Sequence, residues 1–179
     1  MKPTKQVVQF YSKSKDNDDL NGIRNWRKKL SNFWPSDIIY KGETYPSVEH
    51  AFAAAKYTFA QGDDIPDLRE LSGGDLKRAH GRRGMKSRGF VLDMHAWDAA
   101  KVSIMWSLLM QRLTRDEEFR TILGNLSNTY LLHFERSGPR SFWGGVYRNE
   151  VIEGQNMLGK MMMELSGMAI ASNVLCSLN

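Results

Sequence analysis

The run Tyr45-Pro46-Ser47-Val48-Glu49-His50-Ala51-Phe52-Ala53-Ala54-Ala55-Lys56-Tyr57 constrains this chain most, because it specifies one helix and how that helix begins. Pro46 stops a strand, and Ser47 is a strong N-cap whose hydroxyl can accept from an amide of the first turn. Val48, Phe52, Ala55 and Phe59 recur at i, i+4, i+7 and i+11, so the spacing predicts a helix over 48–59 with that face in the core. Glu49, Ala53 and Lys56 form a second stripe, since seven residues nearly restore direction at about 100° per residue. Glu49 and Lys56 stand two turns apart, roughly 10 Å along the axis. A carboxylate and an amine flanking a small alanine leave room for a ligand. The plainer alternative is that Glu49 favours the helix N-terminus and Lys56 is a solvated charge.

Around this helix the pattern mixes short strands with longer helices. Gln6–Tyr11 is β-branched and aromatic and reads as a strand, followed by a polar connection over 12–29 with a turn of helix near Arg24–Lys29. Asp37–Lys41 and Glu43–Tyr45 flank Gly42 as a short hairpin. Helices are predicted over 65–71, 75–82, Trp97–Leu113, Asp116–Leu126 and Gln155–Gly167, with a strand at Thr129–Glu135 and a loop at Ser137–Gly145. In the last helix Met157, Leu158, Met161, Met162 and Leu165 face the core. Helices outnumber strands without strict alternation. The expected class is therefore α+β, a predominantly helical single domain over 1–179 with a small, partly antiparallel sheet.

Composition excludes several functions. At 179 residues the chain can bury one sizeable core. No apolar run approaches the roughly 18 residues that span a bilayer, and the N-terminus lacks a signal-peptide pattern, so no membrane role is expected. Cys176 is the only cysteine and has no partner for an intramolecular disulfide, which suits a reducing, cytoplasmic setting. His50, His80, His95 and His133 lack metal-ligand spacing, and no phosphate loop, nucleophile elbow or dinucleotide fingerprint is present, so neither metal nor cofactor is expected. The net charge is +5, and Lys77, Arg78, Arg82, Arg83, Lys86 and Arg88 follow one another with no acid among them. That run reads either as a solvated basic face or as a rim for phosphate, whether of a small molecule or of nucleic acid.

Other residues suit a pocket. Asn32-Phe33-Trp34-Pro35 joins an amide to two aromatics, and Trp34 can stack on a heterocycle while Phe33 reads as core lining. His50 can bond a ligand or a neighbouring loop. Trp97-Asp98 opens a helix, where a cap with a core tryptophan competes with a pocket role. Phe142-Trp143-Gly144-Gly145 reads as a tight turn with close backbone approach. Asn156 begins the last helix as a cap or a ligand contact, and Gly159 within it marks close packing.

Taken in order, SNFWPS, YPSVEHAFAAAKY, KRAHGR at 77–82, AWDAAKVSIM at 96–105, FWGG and GQNMLG resemble the YbiA/NADAR family, over about residues 10–165. The resemblance implies a YbiA-like fold and an N-glycosidase. Its members are associated with cleaving the base–ribose bond of ribosylaminopyrimidine phosphates of the riboflavin pathway, or with removing ADP-ribose from guanine. It implies Glu49 as base or cation stabiliser. Lys56 would hold phosphate, polarise the sugar or form a Schiff base, and Asp98 completes the catalytic set. Asn32, Trp34, His50, Trp97, Trp143, Gly144 and Asn156 would contact substrate, and Lys77, Arg78, Arg82 and Arg140 would hold phosphate. Arg140 stands where family sequences often carry an aspartate, which favours a more anionic substrate such as an ADP-ribosyl adduct. The implied partner is a phosphorylated ribosyl small molecule or ADP-ribosylated nucleic acid. A non-catalytic ADP-ribose-binding module is the alternative.

Overall fold

The computed structural model describes the backbone of residues 3–176 and the side chains of residues 3–170; the Cys176 side chain lies outside them. Residues 32–112 form one compact unit, and the segments before and after them form another.

The 32–112 unit begins with the expected hairpin, β2 (Ile38–Tyr40) and β3 (Glu43–Tyr45), paired antiparallel with Ile38 opposite Tyr45. Lys41 and Gly42 both take positive φ, the backbone that a two-residue hairpin loop requires. The helix that follows, α2 (Val48–Tyr57), is capped by Ser47, whose hydroxyl accepts from the His50 amide. It ends two residues sooner than the periodicity predicts. Thr58 closes it by hydrogen-bonding back to Ala55 through both amide and hydroxyl, and Phe59 leaves the helix. Ala51, Ala53 and Ala55 are fully buried, so α2 is a central element and not an amphipathic surface helix.

Short β4 (Ala60–Gln61) pairs antiparallel with β5 (Val91–Leu92). The helix expected over 65–71 is a single 3-10 turn, Leu68–Glu70, because the Asp67 carboxylate caps the Arg69 amide and Leu71 is already extended. The helix expected over 75–82 is two helices, α3 (Gly73–His80) and α4 (Arg82–Ser87), broken where Gly81 takes an extended conformation. Gly84 makes the corner possible. A Cβ there would lie 1.7 Å from the Arg78 carbonyl oxygen. Leu76, Ala79 and Met85 from this corner pack on Ala53, Tyr57 and Phe90 in one core. Asp93 then caps α5 (Met94–Arg115) by accepting from the Ala96 amide, and Trp97, Met105, Leu108 and Leu109 form its buried stripe.

In the other unit β1 (Val7–Phe10) pairs in parallel with β6 (Tyr130–His133), and α1 (Trp26–Lys29) is the expected turn of helix. Asp116 caps α6 (Glu117–Asn125), which packs on α7 (Met157–Cys176); there the Ser166 hydroxyl donates to the Leu123 carbonyl at 2.6 Å. Leu158, Met161, Met162 and Leu165 are buried as expected. One hairpin escaped sequence reading: β7 (Val146–Arg148) with β8 (Val151–Glu153), turned by Asn149 and Glu150 at positive φ. Glu150 is a poor turn residue by propensity, which hid it. The class is α+β, its strands arranged among the described residues as four two-stranded pairs, one parallel and three antiparallel.

Candidate active site

The Ser31–Trp34 turn lies over the start of α2. The Asn32 carbonyl accepts from the Glu49 amide at 2.9 Å, satisfying a first-turn donor that has no intrahelical partner. The Asn32 side chain is buried, its amide nitrogen 3.4 Å from the Met105 sulfur, and its Oδ1 makes no hydrogen bond among the described residues. An unsatisfied buried oxygen of this kind costs about 1–3 kcal/mol. It is a standing acceptor beside the carboxylate helix. Trp34 is half-buried on the same turn.

Glu49 and Lys56 do share a face of α2, but the alanine between them is no empty floor. Ala53 is fully buried, and His80 from the end of α3 meets both charges. Its Nε2 lies 3.3 Å from Glu49 Oε1, with the two side chains only 14% and 16% exposed. Its carbonyl accepts from Lys56 Nζ at 2.7 Å. Next to it Tyr57 donates to the Ala79 carbonyl at 2.8 Å, so two residues of α2 satisfy the last carbonyls of α3.

The Lys56 ammonium also lies 5.9 Å from the Trp97 ring centre. Trp97 is nearly buried, packed between Phe52 and Phe59 at 5.0 and 5.6 Å, so it forms a wall rather than an open stacking platform. Burial lowers the Lys56 pKa from its ordinary value, and the nearby Arg82 charge lowers it further against the opposing pull of Glu49 and Asp98. Asp98 is exposed and salt-bridged to Lys101 at 2.6 Å, and that hydrogen bond holds its carboxyl below the usual range. Glu49, Lys56, Arg82, Asp98 and Lys101 thus form one charged constellation, with His80 and Trp97 against it.

Beyond His80, α3 and α4 enclose a cleft of about 720 Å³ lined by Lys77, Arg78, Arg82, Arg83 and Arg88 around Gly81, Gly84 and Ser87. No acidic residue lines it. Arg78 leans out to Asp75, whereas Arg82 stands beside the Lys56 cluster.

Three expected ligand contacts are spent inside the fold. His50 sits with Nδ1 2.6 Å from the Ser47 hydroxyl and Nε2 3.0 Å from the Leu71 carbonyl, which pins the 3-10 turn to α2. Asn156 is fully buried in the other unit. Its Oδ1 accepts from the His133 amide at 3.0 Å and its Nδ2 donates to the Leu131 carbonyl at 2.8 Å. Gly159 is required beside it, since a Cβ would lie 2.2 Å from the Leu131 carbonyl oxygen. Gly144 is equally confined, its amide donating to the Ser141 hydroxyl at 2.8 Å and its carbonyl accepting from the Asn156 amide at 3.0 Å. Trp143 is half-buried against Phe142, and the exposed Arg140 ends the 3-10 turn Gly138–Arg140.

His80 is the functional candidate that residue-by-residue reading left out. Its signal was present in Lys77-Arg78-Ala79-His80-Gly81-Arg82, but only the fold brings that histidine to Glu49. Among the described residues no group of three or more His, Cys, Asp or Glu side chains is placed to hold a metal ion, and no helix is long and apolar enough to cross a membrane.

Comparison with known proteins matches residues 10–167 to the NADAR domain. The chain is 24% identical over 159 residues to the N-glycosidase YbiA of Escherichia coli K12, and 26% identical over 159 residues to that of Shigella flexneri. Each match covers 89% of this chain and 86% of the relative. The fold is similar to the solution NMR structure of E. coli YbiA, with a TM-score of 0.63 at 24% identity, covering 95% of this chain and 88% of the other.

Proposed function

Since this chain belongs to the NADAR domain family, we propose that it is an N-glycosidase, hydrolysing the bond between a base and the ribose of a phosphorylated ribosyl compound. The observation that carries this reading is the meeting of Glu49 and Lys56 around His80, with Arg82 both acting on Lys56 and lining a cleft of arginine and lysine. The names of the YbiA relatives point the same way.

The chemistry fits the groups. Breaking the C1′–N bond leaves positive charge on the sugar, and a carboxylate beside C1′ stabilises it. Water then adds to C1′, giving one proton to Glu49, which passes it to the departing nitrogen so that free base and ribose are released and Glu49 is again ionised. Lys56, whose neutral form burial favours, has a second use: it adds to C1′ of the ring-opened ribosyl and expels the base as its neutral N–H form, leaving an imine that water hydrolyses to free the lysine and the ribose aldehyde. Asp98 keeps a negative charge close to the amine. Arg82 and the neighbouring cleft suit phosphate or diphosphate. An ADP-ribosyl adduct of guanine, free or in nucleic acid, is the preferred substrate, and a ribosylaminopyrimidine phosphate is the second. Either would be met in the cytoplasm.

Incubation with both compounds, with products separated by mass, tests this directly. Release of free base from one of them is expected. Binding of ADP-ribose with no base released from either substrate would replace the enzyme by a binding module.

A further inference from the structure

His80 joins the two charged groups of α2 in different ways, and the difference is informative. Its main-chain carbonyl fixes the Lys56 amine, as any residue at that position could. Its side chain alone reaches Glu49. The imidazole Nε2 is buried and makes no aligned hydrogen bond among the described residues, although a carboxylate oxygen lies 3.3 Å away. Catalytic hydrogen bonds are often long or poorly aligned before ligand binds, and a small shift of either side chain would close this one.

We infer that His80 is a positioning residue for Glu49, its Nε2–H donating to Glu49 Oε1 so that the carboxylate is held in one orientation for the sugar and its attacking water. The arrangement has the logic of a base oriented by a third group. A histidine in this place fixes the rotamer of Glu49 through Oε1. Lys56, held by the same residue through the main chain, stays in place whatever side chain position 80 carries. This role rests on the glycosidase reading above.

The test uses His80→Ala and His80→Gln in the full chain, with base release followed under saturating and limiting substrate. His80→Ala is expected to lower kcat by about 10²-fold with KM little changed, as loss of an oriented acid–base group does. Exogenous imidazole should restore part of that loss, and His80→Gln should retain part of it through its own N–H. Reductive labelling of Lys56 with a small aldehyde should proceed in both variants as in the wild type, because the carbonyl of residue 80 remains. Unchanged kcat in His80→Ala overturns the inference. So does a loss that imidazole and glutamine both fail to relieve, or one accompanied by altered Lys56 labelling, which marks a collapsed α2–α3 contact. A wild type that releases no base fails the glycosidase reading itself.

Discussion

Lys56 donates to the main-chain carbonyl of His80 at 2.7 Å, so the amine of α2 closes the C-terminal end of α3. The contact is structural and chemical at once. It supplies a partner for a carbonyl that α3 cannot satisfy itself, and the negative end of that helix favours the ammonium. Against this, burial and Arg82 favour the neutral amine, and their effect prevails.

A pH dependence follows. Folding lowers the Lys56 pKa, so the unfolded chain holds this proton more tightly than the folded one. Between the folded value and the ordinary 10.5, stability therefore rises with pH in the wild type. Denaturation midpoints of wild type and Lys56→Met across that window should diverge in slope, only the wild type carrying this contribution. Aldehyde labelling of Lys56 should reach half its maximal rate below 10.5 as well. Equal slopes in the two proteins would remove the argument for a pre-activated amine.

Glu49→Gln removes the negative charge but keeps the shape. Base release should fall by about 10²–10⁴-fold, while affinity for ADP-ribose, measured by calorimetry, changes little. The smaller change belongs to Asp98→Asn. Asp98 is exposed and already paired with Lys101, so its loss should cost less than the roughly 10²-fold at the lower end for an acid–base group. A larger loss in Asp98→Asn than in Glu49→Gln would reverse the two assignments.

Much of this was legible before any coordinates. Ser47 announced α2, Gly42 the hairpin, and Asp116 the start of α6, because capping and turn chemistry are local. What the sequence hid was non-local. The side stripe of α2 suggested an open alanine floor, but Ala53 is buried against Ala79 and Met85, and the space belongs to His80. Asn156 looked like a ligand amide because helix-start asparagines often are exposed. Only the backbone of β6, brought alongside it, reveals that the amide is fully used.

That use makes Asn156 a stability residue. Asn156→Ala strands the His133 amide and the Leu131 carbonyl, each about 1–3 kcal/mol when buried without a partner. Urea unfolding should register the loss. A variant as stable as wild type would show that those two backbone groups find other partners.

Gly84 should be intolerant for a steric reason. In Gly84→Ala the new methyl meets the Arg78 carbonyl oxygen, so the α3–α4 corner has to open, costing about 1–3 kcal/mol or more. The matching control is Gly74→Ala, where no atom lies within 4 Å of the added carbon. Urea midpoints of the pair should differ widely, with Gly74→Ala near wild type. Equal midpoints would mean that the corner relaxes at no cost.

Arg82 offers the last check because two independent readouts hang on one side chain. It lines the basic cleft, and its charge lowers the Lys56 pKa. Arg82→Ala should therefore raise KM for a phosphorylated substrate, by roughly ten- to hundredfold for one lost charge-assisted contact of about 1.5–3 kcal/mol. It should leave a dephosphorylated analogue nearly unaffected. It should also shift the pH profile of Lys56 labelling upward, since one of the forces depressing that amine is gone. A KM effect without the pH shift would place Arg82 at the phosphate but away from the amine. A pH shift without a KM effect would assign the phosphate to Lys77, Arg83 or Arg88 instead.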